Sequence, residues 1–137
     1  MLLSSVVKDS GGRQELRQKG RALLKRENNG WHLRYTAADE SGQRSAGDIR
    51  LQGTAVAVRS ITGGYTLELE PGRTTALRLS AEGCAAALDI KTRRAFWDLE
   101  SESQGRIELD YVMLAAGETV SEISLRMQLK KNKESKP

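Results

Sequence analysis

Strict alternation of apolar and polar residues is the feature of this 137-residue chain that most restricts its fold. The last such segment, SEISLRMQLK, places Ile123, Leu125, Met127 and Leu129 on one face. Successive side chains of a strand point to opposite faces, so this period of two is typical of half-buried strands and not of helices. The pattern predicts an all-β protein. It recurs in AVAVRS, GYTLELE, RTTALRLS, CAAALDI and RIELDYVML.

Residues that favour tight turns separate these segments. Glycine adopts the positive φ angles that such turns need, and asparagine tolerates them. Short turns predict an up-and-down antiparallel meander of about eight to ten strands, and a flat sheet of that size would leave long exposed edges. We therefore predict a single closed or nearly closed antiparallel β-barrel over residues 1–129. The turns are Ser10-Gly11-Gly12, Asn28-Asn29-Gly30, Thr62-Gly63-Gly64, Pro71-Gly72 and Ala116-Gly117.

The net charge of +4 is concentrated at the C-terminus. Residues 130–137, KKNKESKP, hold four lysines and one glutamate, whereas the other residues hold 18 basic and 17 acidic side chains. A segment with so little to bury is predicted to be a disordered lysine-rich tail. A nearly neutral body makes nucleic-acid binding less favoured, although it does not exclude it.

Charge is nevertheless unevenly distributed within the body. Residues 8–26 hold seven bases against two acids, and residues 98–122 hold seven acids against Arg106 alone. We interpret the two stretches as solvated strand faces that complement each other across the fold. The alternative is an accessory module that binds RNA or a protein partner through its basic N-terminal strands and lysine tail.

The sequence contains no recognisable catalytic or metal-binding motif. Cys84 is the only cysteine, which excludes an internal disulfide, and its alanine neighbours predict a small packing residue. His32 is the only histidine and has no partner at a metal-ligand spacing. Glu108 and Asp110 share a face opposite to the apolar set, which favours solvent as their neighbour. We predict a protein that is not an enzyme, with no cofactor and no metal. Without a targeting or membrane-spanning segment, we expect a cytoplasmic location.

Arg59 has two possible orientations. It shares a strand face with Ala55 and Ala57, while Val56 and Val58 point the other way. If the alanine face lined the barrel, Arg59 would stand in a cavity and could bind a carboxylate. If the valines lined it, Arg59 would be a surface base, and strand parity favours this second arrangement.

The tyrosines and Trp31 lie on apolar strand faces, where filling the core of a small barrel is the commoner role. They are also the side chains that a ligand inside the barrel would meet. The candidate ligand-binding residues are Arg59, Tyr35, Tyr111, Trp31 and Tyr65.

Three segments together resemble the YwiB-like family of bacterial calycin-like β-barrel proteins. They are VAVRSITGGYTLELEPGRTT, GRIELDYVMLAAGETVSEISLRMQLKK and WHLRY, in the order and spacing of that family from about Leu3 to Lys130. The resemblance implies a closed, lipocalin-like antiparallel barrel and no particular activity, cofactor or catalytic residue. It also implies a carboxylate two residues after Tyr35, where this chain has Ala37.

A barrel of this size can enclose one small ligand. We therefore expect a small-ligand-binding barrel whose amphipathic or acidic ligand lies in the barrel or at its mouth. We expect no membrane partner, and either a monomer or a homodimer.

Overall fold

A computed structural model describes residues 1–27, 29–79, 88–101 and 103–131. Cys84 and residues 132–137 lie outside them, as do the predictions that rest on those residues. All regular structure within the described ranges is β-strand, and no helix there has the length and hydropathy to cross a membrane. The strands are β1 (Leu2–Asp9), β2 (Gly12–Glu27), β3 (Gly30–Ala38), β4 (Arg44–Gln52), β5 (Ala55–Ser60), β6 (Tyr65–Leu69), β7 (Thr74–Ala76), β8 (Arg78–Leu79), β9 (Leu88–Asp98), β10 (Gln104–Ala115) and β11 (Glu118–Lys130).

The eleven strands form one antiparallel sheet in the order β7-β9-β10-β11-β1-β2-β3-β4-β5-β6-β8. Strands β1 to β6 are neighbours in chain order, and so are β9 to β11. Strand β11 returns beside β1, which joins the two meanders into one sheet. The prediction of an all-β, mostly up-and-down protein is confirmed.

The two ends of the sheet meet, which curls it into a barrel. Short β7 pairs with β9 at one end, and two-residue β8 pairs with β6 at the other. Two side-chain hydrogen bonds cross between these ends. Glu70 N donates to Thr92 Oγ1 at 3.1 Å, and Thr75 Oγ1 donates to the carbonyl oxygen of Glu68. The predicted nearly closed barrel is confirmed, and the short β7 and β8 bring the number of strands among the described residues to eleven.

The alternating apolar residues fill the barrel interior. Their inward direction settles the orientation of β5, because Val56 is 2% exposed and Val58 is 6% exposed. The valines therefore line the barrel, and Arg59 points outward. The most deeply buried side chains are Leu33, Ile49, Leu51, Leu67, Leu69, Ile90, Leu99, Ile107, Leu109 and Met127.

A β-bulge in β9 lets side chains both before and after it face the barrel interior. Tyr111 of β10 pairs with Thr92, but the preceding Asp110 pairs with Arg94, so Arg93 has no partner on β10. The extra residue reverses the side-chain parity. Ile90 and Thr92 before the bulge and Ala95 after it all face the interior as a result.

The C-terminal strand continues to Lys130. Lys131 then donates its backbone N–H to Ser103 O at 2.9 Å and its Nζ to Leu99 O at 2.6 Å. The first two lysines of the segment assigned to the tail are therefore held against the barrel.

Candidate functional site: a tyrosine cluster and an adjacent cationic groove

Tyr35, Tyr65 and Tyr111 all face the barrel interior. Tyr35 pairs across β3 and β4 with Gly47, which pairs with Ser60 on β5, and Ser60 pairs with Tyr65 on β6. Tyr35 and Tyr65 are thus members of one transverse row. Tyr111 enters from β10 on the other side of the barrel and is 6% exposed.

Two glycines leave space for these rings. A Cβ atom on Gly47 would lie 2.8 Å from the Tyr35 hydroxyl oxygen and 2.4 Å from the Arg59 carbonyl oxygen. A Cβ atom on Gly63 would lie 2.5 Å from a ring carbon of Tyr65. All three distances are too short for a contact between non-bonded atoms. The rings of Tyr35 and Tyr65 can therefore lie where they do only because Gly47 and Gly63 have no side chain.

The tyrosines influence each other electrostatically. Burial raises the pKa of Tyr35 to about 12, with further contributions from Tyr65 and Asp48. Burial also raises the pKa of Tyr111 above its usual range, followed by the effects of Tyr65 and Tyr35. None of the three hydroxyls forms a hydrogen bond with a described residue. At neutral pH Tyr35 and Tyr111 therefore present neutral O–H donors to the interior.

Polar side chains continue the tyrosine-lined interior towards β2. Gln18 is 3% exposed, accepts a hydrogen bond from Ser45 Oγ at 2.6 Å and donates Nε2 to Gln43 O at 3.4 Å. Leu16, on the same face of β2, is 40% exposed. An inward-facing leucine with that exposure shows that the barrel is open at this end.

A second concave region lies along the free edge of β2. Strand β1 pairs with β2 only as far as Lys19, and the backbone of Met1 exchanges hydrogen bonds with Gly20. Beyond Gly20, strand β2 pairs with β3 alone. The resulting groove has a volume of about 1000 Å³. Its described lining includes Arg21, Ala22, Leu24, Trp31, Arg34, Tyr35, Lys130 and Lys131, with no carboxylate.

Trp31 lies in this groove between two cations. The Arg26 guanidinium is 4.5 Å and the Lys131 ammonium 5.4 Å from a ring centroid of Trp31. Arg26 also forms an ion pair with Glu100 at 2.5 Å, which links β2 to the end of β9. Cation–π contacts of this kind hold long cationic side chains over an apolar surface.

The structure therefore separates the five candidate residues. Tyr35, Tyr65 and Tyr111 form an interior cluster, while Trp31 and Tyr35 line the groove. Arg59 belongs to neither, because its side chain is 63% exposed and lies 4.0 Å from Asp48 on the outer face. Its outward direction follows from the buried valines, so a carboxylate clamp inside the barrel has no arginine at this position.

Sequence reasoning placed Arg21 in a basic stretch and Lys131 in a lysine tail, but it missed Arg34 and the groove that brings the three together. Arg21, Arg34 and Lys131 are far apart in the chain and carry no motif. The signal that could have found them is the sixteen-residue length of β2, which exceeds the eight residues of its neighbour β1. The first half of β2 pairs with β1 and the second half with β3, and only Lys19 pairs with both, so the second half has a free edge where β1 has ended.

A model of the family described as Domain of unknown function (DUF1934) matches residues 2–127 of the chain. This chain belongs to the DUF1934 family. This match, together with the structural match reported next, confirms the resemblance to YwiB-like proteins drawn from the three sequence segments. A search among curated proteins gave no match.

The fold of this DUF1934 member is similar to that of the YwiB protein from Bacillus subtilis, known from a crystal structure. The two are 19% identical, the match covers 96% of this chain and 89% of that chain, and the TM-score is 0.69. At that identity the comparison shows a common barrel and nothing about a ligand.

Two further positions bear on the site. Ala37, where the resemblance implied a carboxylate, is 5% exposed and pairs with Ser45. A carboxylate at this position would face the polar part of the interior. His32 lies outside the groove, 3.7 Å from Asp48, and its buried Nε2 has no hydrogen-bond partner among the described residues. The described residues include no group of three His, Cys, Asp or Glu side chains that could hold a metal ion.

Proposed function

We propose that this barrel is a non-enzymatic binding protein for a small amphipathic, acidic molecule. The observation that carries the proposal is the groove of about 1000 Å³ along β2, whose described lining combines an apolar floor with cations. Glu100 interacts with Trp31 and Lys131 beside the groove, and its charge is paired with Arg26. Pockets of this size accommodate small ligands, with an apolar lining for most of the area and a few polar groups for orientation.

The groove supplies both parts that such a ligand requires. Leu24 and Trp31 offer an apolar surface, and Arg21, Arg34 and Lys131 offer cationic donors at its rim. A guanidinium binds a carboxylate or phosphate through two parallel hydrogen bonds, which gives direction as well as attraction. The Tyr35 hydroxyl, which has no described partner, adds a neutral donor between the groove and the interior cluster. The cytoplasm is the compartment that we expect for this function.

A series of ligands with the same chain length but different charge tests the proposal. A medium-chain fatty acid is compared with the alcohol and the amine of the same chain length, with binding followed by Trp31 fluorescence in a Trp97→Phe background. We expect the acid to bind about tenfold more tightly than the alcohol, and the amine more weakly still. Equal affinities for all three, or no binding of the acid, would overturn the proposal.

Paired variants locate the site. We expect Arg34→Gln to weaken binding of the acid about fivefold, because it removes one groove cation. Arg59→Gln is the matched control, since it removes an exposed cation outside the groove. If Tyr111→Phe abolished binding while Arg34→Gln left it unchanged, the ligand would lie in the interior cluster and the groove would be the wrong site.

A further inference from the structure

The outward face of β2 carries a single file of cations. Arg17, Lys19, Arg21 and Lys25 alternate with inward-facing residues, and all four are exposed. Side chains two residues apart on a strand are separated by about 7 Å, so the file is about 27 Å long. Leu23 occupies the position between Arg21 and Lys25. It is a large apolar side chain within a basic row and is 75% exposed.

The neighbouring strands widen this file into a basic face. Arg34 on β3 pairs with Leu23, and Arg50 on β4 pairs with His32, which pairs with Lys25. Arg44 pairs with Ala38, which pairs with Lys19. Adjacent strands lie about 4.8 Å apart, so these arginines stand within about 10 Å of the file on β2. We call the seven residues Arg17, Lys19, Arg21, Lys25, Arg34, Arg44 and Arg50 the basic face.

None of these seven side chains forms an ion pair with a described carboxylate. The opposite wall behaves differently, because its arginines are neutralised in pairs: Arg93–Glu122 at 2.8 Å, Arg94–Glu108 at 2.9 Å and Arg126–Asp110 at 2.9 Å. Within the described chain, Arg26–Glu100 is the single pair that joins the basic stretch to the acidic one. The acidic and basic stretches therefore do not neutralise each other as their sequence suggested.

One carboxylate interrupts the basic face among the described residues of β3 and β4. Asp48 lies 3.7 Å from His32 and 4.0 Å from Arg59, so its charge is directed towards residues beside the file. Two further carboxylates, Glu15 and Glu27, lie on the same face of β2 at the two ends of the file, and Glu15 is 3.9 Å from Arg13. The four cations between them have no ion-pair partner among the described residues. A row of unpaired cations at a regular spacing attracts a flexible chain of regularly spaced negative charges.

We infer that the basic face binds the backbone of single-stranded nucleic acid. The four cations of the file follow one another along β2 at intervals of about 7 Å or more, which suits the spaced charges of one sugar–phosphate strand. No described Trp, Tyr or Phe side chain points outward from β2 to β4, so the contact we infer is to the backbone and not to the bases. Contacts to phosphates position a strand without reading its sequence. We therefore expect binding that is independent of sequence and strongly dependent on salt.

This binding surface overlaps the proposed ligand groove only in part. The two surfaces share Arg21 and Arg34, but Arg17, Lys19 and Lys25 do not line the groove. Variants at those three positions test the basic face and leave the groove intact.

The test is the salt dependence of affinity for a fluorescent oligouridine, measured on the full chain. Each phosphate contact contributes about −0.7 to the slope of log K against log salt, so the four cations of the file predict a slope of about −3. We expect Arg17→Gln/Lys19→Gln/Lys25→Gln to reduce the slope by about 2. The triple variant Arg93→Gln/Arg94→Gln/Arg106→Gln removes the same charge from the opposite wall and should leave the slope unchanged, with circular dichroism confirming that both variants fold.

Several results would overturn the inference. Absence of binding at low salt would do so, and so would an equal loss in both triple variants, since net charge alone would then explain it. Equal affinity for a duplex would contradict the single-strand assignment. Binding to anionic lipid vesicles but not to the oligouridine would assign the face to a membrane surface. A chain ending at Lys131 should bind as the full chain does, and loss of binding there would assign the contact to residues 132–137.

Discussion

Gly47 determines where the ring of Tyr35 can lie. A side chain at this position would meet the Arg59 carbonyl oxygen at 2.4 Å and the Tyr35 hydroxyl at 2.8 Å. The first contact is with the backbone of a paired strand and cannot relax by rotation. The second would push Tyr35 away from Tyr65. One missing methyl group therefore controls both local packing and the tyrosine cluster.

We predict that Gly47→Ala destabilises the barrel by about 2–3 kcal/mol, as overpacking of a filled interior does. Urea unfolding followed by circular dichroism measures the change. Gly11→Ala is the control, because a Cβ atom there meets only the Asp9 side chain at 3.3 Å. A Gly47→Ala variant as stable as Gly11→Ala would show that Tyr35 is not held where we place it.

Ionisation of the buried tyrosines gives a second prediction. A tyrosine whose pKa is higher in the folded than in the unfolded state stabilises the fold fully below the unfolded pKa, and that contribution is lost as pH rises through the folded pKa. For Tyr35 the window lies between about pH 10 and pH 12. We expect the free energy of unfolding to fall across this window, and to fall less steeply in Tyr35→Phe. An unchanged slope in that variant would contradict the burial of its hydroxyl.

The sequence predicted the orientation of most candidate site residues, and there is a physical reason why it could not orient the others. Alternation placed Tyr35, Tyr65 and Tyr111 on inward faces because a half-buried strand has only two faces. It left Arg59 open because AVAVRS has apolar residues on both faces. Burial of Val56 and Val58, which depends on the opposite wall of the barrel, decided that question.

At the scale of strands, β10 and β11 are joined by an ion pair with two hydrogen bonds. Arg126 donates Nη1 to Asp110 Oδ1 at 2.9 Å and Nη2 to Asp110 Oδ2 at 3.2 Å. Burial acts to raise the pKa of Asp110, but the hydrogen bonds from Arg126 and Ser124 and the nearby arginine charges hold it below its usual value. The pair therefore contributes to stability while Asp110 is ionised.

We predict that Arg126→Gln destabilises the protein by about 1 kcal/mol near neutral pH, since the pair is partly exposed to solvent. The contribution of Asp110 is present above its unfolded pKa and is lost as pH falls through the lower folded value. The difference between wild type and variant should therefore shrink below about pH 4. Arg13→Gln is the control, because Arg13 and Glu15 are 3.9 Å apart and both are more than half exposed. A pH-independent difference would show that Arg126 acts by packing and not by charge.

The presence of strands was predicted better than their lengths or the position of the β-bulge. The alternating segments identified β5, β6, β10 and β11 because each buries one face, whereas the longest strand, β2, was not among them. The bulge at Arg93 could not be predicted because it is set by the pairing register between β9 and β10. The free edge of β2 could not be predicted because it depends on where β1 begins. The groove and the basic face both arise from β2, and so the functional surfaces lie where the sequence pattern is least informative.

On the scale of the whole molecule, the barrel is closed by short contacts and not by a continuous ladder. We call the place where the two ends of the sheet meet the seam. Strands β6 and β9 approach each other there, but β6 pairs with the two-residue β8 and β9 pairs with the three-residue β7. Thr92 is 3% exposed, and its hydroxyl accepts the hydrogen bond from the Glu70 N–H. The seam therefore depends on individual side chains in a way that the eight longer strand pairs of the described residues do not, which makes it the place where the barrel should open first.

We predict that Thr92→Val destabilises the protein by about 1–2 kcal/mol, because it leaves the Glu70 N–H without its acceptor while the volume stays the same. Hydrogen exchange should locate the effect, with faster exchange at Glu70 and the neighbouring residues of β6 and with β10 and β11 unchanged. Thr92→Ser keeps the hydroxyl and should retain the protection at Glu70, although the lost methyl group costs some stability. If Thr92→Val and Thr92→Ser changed exchange at Glu70 equally, packing of the methyl group would close the seam, and the hydrogen bond would not.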